Sequence, residues 1–354
     1  MNYQFLGKFP ETRLRRNRQN QEIRSLVAET SITANDLILP LFVCEGTQIK
    51  EEISTIPDVF RYSIDNLLKI IEEACNLGIK AIMLFPVIDN TLKDIQATES
   101  SNSNNLICRT IKVIKSQFKN ILIICDVALD PYTTSGHDGI IDENGNILND
   151  ETIHYLEKQA LTCAKAGCDM VAPSDMMDGR ITAIRKFLDN NNFQNVGIIS
   201  YSAKYASNFY GPFRDAVGSS NNLKQGNKKT YQMDFHNSGE ALREIAFDIE
   251  EGADAIIIKP AMPYLDIIAN SRRSFPIPIF AYQVSGEFAM LKFAEKHNIL
   301  NFINSYYESL IAIKRAGANA IITYGAIEIC QFLQTQALLH QSKSLINRSL
   351  NYEK

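Results

Sequence analysis

One phrase recurs along this chain and limits its folding options more than any other feature. A helix-like stretch closes on glycine, and an apolar run opens a few residues later. It appears at Gly78 before Ala81–Val87 and in Ala166-Gly167-Cys168-Asp169-Met170-Val171-Ala172-Pro173. It returns in Glu251-Gly252-Ala253-Asp254 before Ala255–Ile258, and in Ala316-Gly317-Ala318-Asn319 before Ala320–Tyr324. Glycine in the left-handed C-cap position ends each helix, and the run that follows reads as a buried parallel strand. Leu37–Val43, Ile121–Val127, Val196–Ser200 and Pro278–Val284 supply four more runs, for eight in all. Eight strands alternating with helices predict an α/β fold, a (β/α)8 TIM barrel, over an open doubly wound sheet. No G-x-G-x-x-G follows the first run, which weakens a dinucleotide-binding fold further. The expected layout is an N-terminal arm over 1–36, the barrel over 37–340 and a C-terminal tail over 341–354.

Composition excludes several classes. A net charge of −4 gives no bulk attraction to nucleic acid. Seven cysteines, scattered and without a C-x-x-C, signal neither a disulfide framework nor a zinc knuckle. They fit a reducing, cytoplasmic setting. No run is long enough to span a membrane. Arg13, Arg15, Arg16 and Arg18 crowd the arm. They read as a nucleic-acid arm, a subunit-binding arm or a solvated tail; with four arginines and no interleaved aromatics, nucleic acid is the weakest reading.

A barrel puts its chemistry just beyond the strand ends. Lys259 directly follows the apolar run Ala255–Ile258, with Pro260 and Pro263 stopping further regular structure. Lost solvation there lowers a lysine's pKa and supplies the neutral amine that imine chemistry needs, unless the stem merely snorkels. Ser200-Tyr201-Ser202-Ala203-Lys204 puts a second lysine after the fifth strand. Two ammonium groups at neighbouring strand ends repel, so at least one becomes neutral near pH 7. After the third strand, Asp126, Asp130 and Asp138 crowd a loop suited to a hard cation or to acid–base work, or to nothing more than a polar turn before a hairpin at Asn144-Gly145. Ser174, Asp175, Asp178 and Arg180 follow the fourth strand, where Asp178 reads best as a helix cap. Residues 205–235 form a long basic connection with Arg214, Lys224, Lys228 and Lys229, which reads as a lid over an anionic substrate. Glu240, Glu244 and Asp248 share one helix face, a repulsion that a cation, a partner's arginine or simple solvation relieves.

Five phrases carry a resemblance to a known family: Ser200–Lys204, Phe209-Tyr-Gly-Pro-Phe-Arg-Asp215, Tyr231-Gln-Met233, Ile258-Lys-Pro-Ala-Met-Pro-Tyr-Leu-Asp266 and Ala281-Tyr-Gln-Val-Ser-Gly-Glu287. The chain resembles the porphobilinogen synthases, or 5-aminolevulinate dehydratases, over residues 9 to 330. The resemblance implies a barrel whose arm wraps a neighbouring subunit in a homo-octamer. It implies condensation of two 5-aminolevulinate molecules to porphobilinogen with loss of two waters, in tetrapyrrole biosynthesis. Lys204 and Lys259 would each form a Schiff base, Lys259 with the substrate of the P site. Ser285 and Tyr324 resemble that substrate's carboxylate contacts; Arg214, Lys228 and Gln232 resemble those of the A site. Asp126, Ser174 and Asp175 would orient the second substrate and move protons, with Asp130, Asp138 and Tyr282 also in the substrate pocket. Zinc-dependent members carry three cysteines where this chain has Ala128, Asp130 and Asp138. Carboxylates do not select zinc as thiolates do, so no catalytic zinc is expected. The chain resembles instead the aspartate-rich branch, which implies an allosteric magnesium at a subunit interface with Glu244 as its glutamate. The alternative is another class I Schiff-base aldolase on the same barrel.

Overall fold

The computed structural model describes residues 7–216 and 227–350, and in it all eight runs join one closed parallel barrel. The strands are β1 (Leu37–Cys44), β2 (Ala81–Val87), β3 (Leu122–Val127), β4 (Met170–Pro173), β5 (Gly197–Lys204), β6 (Ala255–Lys259), β7 (Ile279–Tyr282) and β8 (Ala320–Ile322). They neighbour one another in chain order, and Leu37 and Ile38 pair with Ile321 and Ile322 to close the ring. With both faces covered, the strands are nearly all apolar and buried, as in β1 and β6.

The recurring phrase does two jobs. Gly167 and Gly317 stand at φ +107° and +127°, a region closed to most side chains, and end their helices there. The polar residue that follows clamps the neighbouring strand. Asp169 accepts from Ile123 N (2.6 Å), Asp254 from Ile198 N (2.7 Å) and Asn319 from Ile279 N (2.9 Å). Each satisfies an amide at the amino end of the barrel, where the ladder has run out.

The helices are α1 (Gln21–Leu26), α2 (Ile64–Asn76), α3 (Leu106–Gln117), α4 (Asn149–Ala166), α5 (Arg180–Asn190), α6 (Gly211–Ala216), α7 (Gly239–Glu250), α8 (Leu265–Ser274), α9 (Ser285–Lys296), α10 (Phe302–Ala316) and α11 (Ala326–Leu350). A short hairpin, Lys50–Glu52 with Phe60–Tyr62, extends the sheet beside the end of β1. Three expectations change, and part of a fourth falls outside the described residues. Both lysines are the last residues of their strands rather than the first beyond them: β5 reaches Lys204 through a bulge between Ser200 and Ala203, and Lys259 extends β6 as its register partner. The connection over 205–235 is not devoid of structure: Ser207 caps a turn at Asn208–Tyr210 that leads into α6. Residues 217–226 of that expected lid, Lys224 among them, lie outside the described residues, as does the side chain of Arg214. Lastly, α11 continues across residue 341 to Leu350. In the arm, neither the turn Leu14–Arg18 nor α1 buries a residue.

Candidate active site

Neighbouring strands set the two lysines side by side: Lys204 and Lys259 are register partners on β5 and β6. Both are 6% exposed. The Lys259 ammonium nitrogen sits among the rings of Tyr282 (4.4 Å), Phe213 (4.9 Å), Tyr210 (5.2 Å) and Tyr201 (5.3 Å). Aromatic faces attract a cation, yet here they also exclude the water that would solvate it. Burial wins: with the nearby Lys204 charge, it brings Lys259 down to about 7 against the pull of Asp126, Asp130 and Asp138. Lys204 donates to the Ser174 carbonyl and lies 3.9 Å from Asp138.

Facing the amines are buried acids. Asp126, near the end of β3, accepts from Ser174 Oγ at 3.1 Å. Burial raises it to about 7, although Lys204 and Lys259 favour its charge. Lys228 reaches back from the connection after β5 to Asp130 (3.2 Å) and Asp138 (3.1 Å). Burial works against the charge of both acids, but Lys204 and Lys228 hold Asp138 down to about 2 while Asp130 is raised. The two are therefore pushed apart as a coupled carboxyl pair, the charge favoured on Asp138 and disfavoured on Asp130. Tyr231 fixes the loop from outside, its hydroxyl accepting from Asp138 N at 3.3 Å.

Asp126, Asp130, Asp138, Ser174, Lys204, Lys228, Gln232 and Lys259 line one pocket at the carboxyl end of the barrel. Gln232 is buried, and its Oε1 has no hydrogen-bond partner among the described residues. Tyr282 enters through its ring, and its hydroxyl lies 3.2 Å from that of Tyr324. Ser285 begins α9, and its Oγ accepts from Phe213 N at 3.0 Å. Asp175 stands behind the pocket, raised to about 6 by burial despite Arg180 at 3.7 Å. Glu244 is separate. It lines a second cleft with Asp178 and Glu240, and burial, then the charge of Asp248, raises its pKa.

Several assignments need correction. Asp178 does not cap α5; Glu251 accepts from Ile181 N (3.1 Å) and Thr182 N (3.3 Å). Asp248 does not belong to a solvated acidic face, because it is buried and paired with the buried Arg180 at 3.1 Å. The aromatic cage was missed: strand alternation sets Tyr201 and Lys204 on opposite faces, and the β5 bulge undoes that. Glu287 was missed as well. It is buried and accepts from Ala261 N (3.2 Å), Met262 N (2.6 Å) and Val284 N (2.8 Å), tying the turn after Lys259 to the start of α9. An acid three residues into a helix was the available signal.

Fold and pocket together define a (β/α)8-barrel enzyme with buried amines and acids at the carboxyl end of its strands. Comparison with known proteins narrows this. The family model for Delta-aminolevulinic acid dehydratase matches residues 11–332, and the chain belongs to that family of lyases. Among relatives, the delta-aminolevulinic acid dehydratase of Bradyrhizobium diazoefficiens is 49% identical over 324 residues, 92% of this chain and 91% of the relative. That of Chlamydia pneumoniae is 50% identical over 321 residues, 91% and 96% of the two chains. A Glycine max relative named as chloroplastic is 47% identical over 322 residues, covering 91% of this chain and 77% of its own length. The crystal structure of the Toxoplasma gondii porphobilinogen synthase with its product porphobilinogen is similar at TM-score 0.89 and 48% identity, covering 91% of each chain. Among the described residues no helix is long and apolar enough to cross a membrane.

Proposed function

We propose that this chain condenses two 5-aminolevulinate molecules to porphobilinogen through imines on Lys204 and Lys259, and that the adjacent pairing of these buried lysines carries the reading. Lys259 at about 7 offers a neutral amine at physiological pH, which attacks the ketone of the first substrate. Lys204, with Asp138 at 3.9 Å, takes the ketone of the second. The two ketone oxygens leave as the two waters, and closure of the pyrrole returns both lysines. Asp126, at about 7 and beside both amines, is poised to accept and return the protons these steps move.

Substrate carboxylates need cationic or hydroxyl partners. Ser285 and Tyr324 lie on the Lys259 side, and Lys228 with Gln232 on the Lys204 side; we assign them to the P and A sites, with Arg214 completing the A site. Lys228 is now held by Asp130 and Asp138, so an arriving carboxylate competes for a cation already in place. Gln232 would give its Nε2 donor to that carboxylate, while its buried Oε1, without a partner among the described residues, fits a donor such as the substrate's amine.

The donor chemistry bears on metals. No thiol occupies the aspartate loop, and its carboxylates already have an ammonium partner, which supports a reaction without catalytic zinc. At Glu244, half-buried carboxylate with raised pKa beside Asp178 and Glu240 suits a hard cation. Among the described residues no three ligating side chains converge there, so magnesium would keep most of its waters or borrow a ligand from another subunit. It would supply allosteric activation by neutralising that cleft. The arm, with Phe9, Leu14 and Leu26 at least 73% exposed beside its arginines, supports wrapping on a second copy in a homo-octamer. We place the chain in the cytoplasm, in keeping with seven free cysteines. The test is porphobilinogen formation after exhaustive chelation, with magnesium or zinc added back. Restoration by magnesium alone is expected, and strict zinc dependence would overturn the metal assignment.

A further inference from the structure

We infer that Arg61, on the hairpin after β1, is a positioning residue: it holds the end of α6 and through it keeps Phe213 packed over Lys259. The inference rests on the reading of Lys259 as the imine-forming amine. Arg61 Nε donates to the carbonyl of Ala216, the last residue of α6, at 2.7 Å. An arginine guanidinium is a strong donor to a backbone carbonyl. A second contact comes from the same hairpin: Thr55 Oγ1 donates to the Pro212 carbonyl at 3.3 Å. Thus one insertion grips both ends of a six-residue helix. A helix so short has little stability of its own, so its place depends on what holds it.

The grip is itself well founded. Arg61 and Tyr62 pair with Phe42 and Val43 of β1, so the hairpin is joined to a barrel strand. Across the hairpin, Arg61 is the register partner of Glu51 and bridges to it at 2.5 Å. Between the two contacts on α6 stands Phe213. Its ring lies 5.3 Å from Phe85 and 5.6 Å from Phe42, with the Lys259 nitrogen 4.9 Å away. The side chain that shields the amine from water is thereby placed by a residue that does not line the pocket.

Arg61→Ala tests this in the full-length enzyme with 5-aminolevulinate. Loss of a charged hydrogen bond that orders the segment should raise KM about tenfold, with a smaller change in kcat. Water reaching Lys259 should also move the pH at which borohydride traps half of the substrate imine to the alkaline side. Arg61→Lys should recover part of both effects, since an ammonium can still donate to the Ala216 carbonyl. A folded Arg61→Ala enzyme with wild-type KM and trapping midpoint overturns the inference. So does a raised KM with the midpoint unmoved, which general loosening would produce. If Arg61→Ala fails to fold, Thr55→Val decides with the same two readouts: smaller shifts in the same directions support the inference, and wild-type values overturn it. No trapping in the wild type would instead defeat the imine reading and leave the placement of Phe213 to the KM effect.

Discussion

Replacing Lys204 with methionine keeps the stem and removes the charge, and Lys259 should respond. Both nitrogens lie over the ring of Tyr201, 5.8 and 5.3 Å from its centre. They are therefore no more than about 11 Å apart, where like charges at an effective dielectric near 20 repel by roughly 1.5 kcal/mol. That is about one pH unit. Lys204 lowers Lys259, so its loss raises the amine from about 7 toward the ordinary lysine value. Asp126 works the other way. It too loses the Lys204 charge, rises, and is less often ionised, which withdraws part of its support for the Lys259 cation. Since a shorter separation strengthens the repulsion and Asp126 offsets part of it, the net expectation is an alkaline shift of about one unit. The assay is the pH dependence of borohydride trapping of 5-aminolevulinate on Lys259, with turnover to porphobilinogen abolished in the same variant. A midpoint that stays put, or moves to the acid side, would refute the reasoning.

In the wild type, activity should rise with pH through about 7 and then level, because Lys259 loses its proton and Asp126 ionises in the same window; an initial-rate pH profile checks this. Lys228→Met removes one of the two ammonium partners of Asp138, leaving Lys204 at 3.9 Å, and should cost about 1.5–3 kcal/mol in urea unfolding at neutral pH. Asp138 is depressed in the folded state, so the wild type gains from it above the ordinary aspartate range and loses that gain as pH falls toward 2; the deficit of the variant should narrow on acidification. Asp254→Ala leaves the Ile198 amide without its acceptor and should lower stability by about 1–2 kcal/mol in thermal melts, with Asp254→Asn close to wild type.

The barrel was readable because its strands are buried on both faces and its helix ends are marked by glycine. Even the clamp residues Asp169, Asp254 and Asn319 occupy fixed places in the recurring phrase, although their partners on the neighbouring strands become visible only in three dimensions. Lys204 and Lys259 were legible from position alone, each at the limit of an apolar run. Their aromatic surroundings were not, since Tyr201 reaches Lys204 through a bulge that no periodicity reports. Acidic residues misled in a consistent way. Asp178 read as a helix cap and Asp248 as part of an acidic face, whereas Glu251 and Arg180, close only after folding, fix which acid caps α5 and which is buried. Ser285 and Tyr324, by contrast, entered through family resemblance, as no local pattern distinguishes a serine at a helix start or a tyrosine after a strand.

The most direct measurement is borohydride reduction of the enzyme during turnover of 5-aminolevulinate, followed by peptide mapping by mass spectrometry. Reduced substrate adducts on Lys204 and on Lys259, with other lysines unmodified, are the predicted result. Adducts on neither, or on a lysine outside the pocket, would contradict a reaction carried by the paired lysines of β5 and β6.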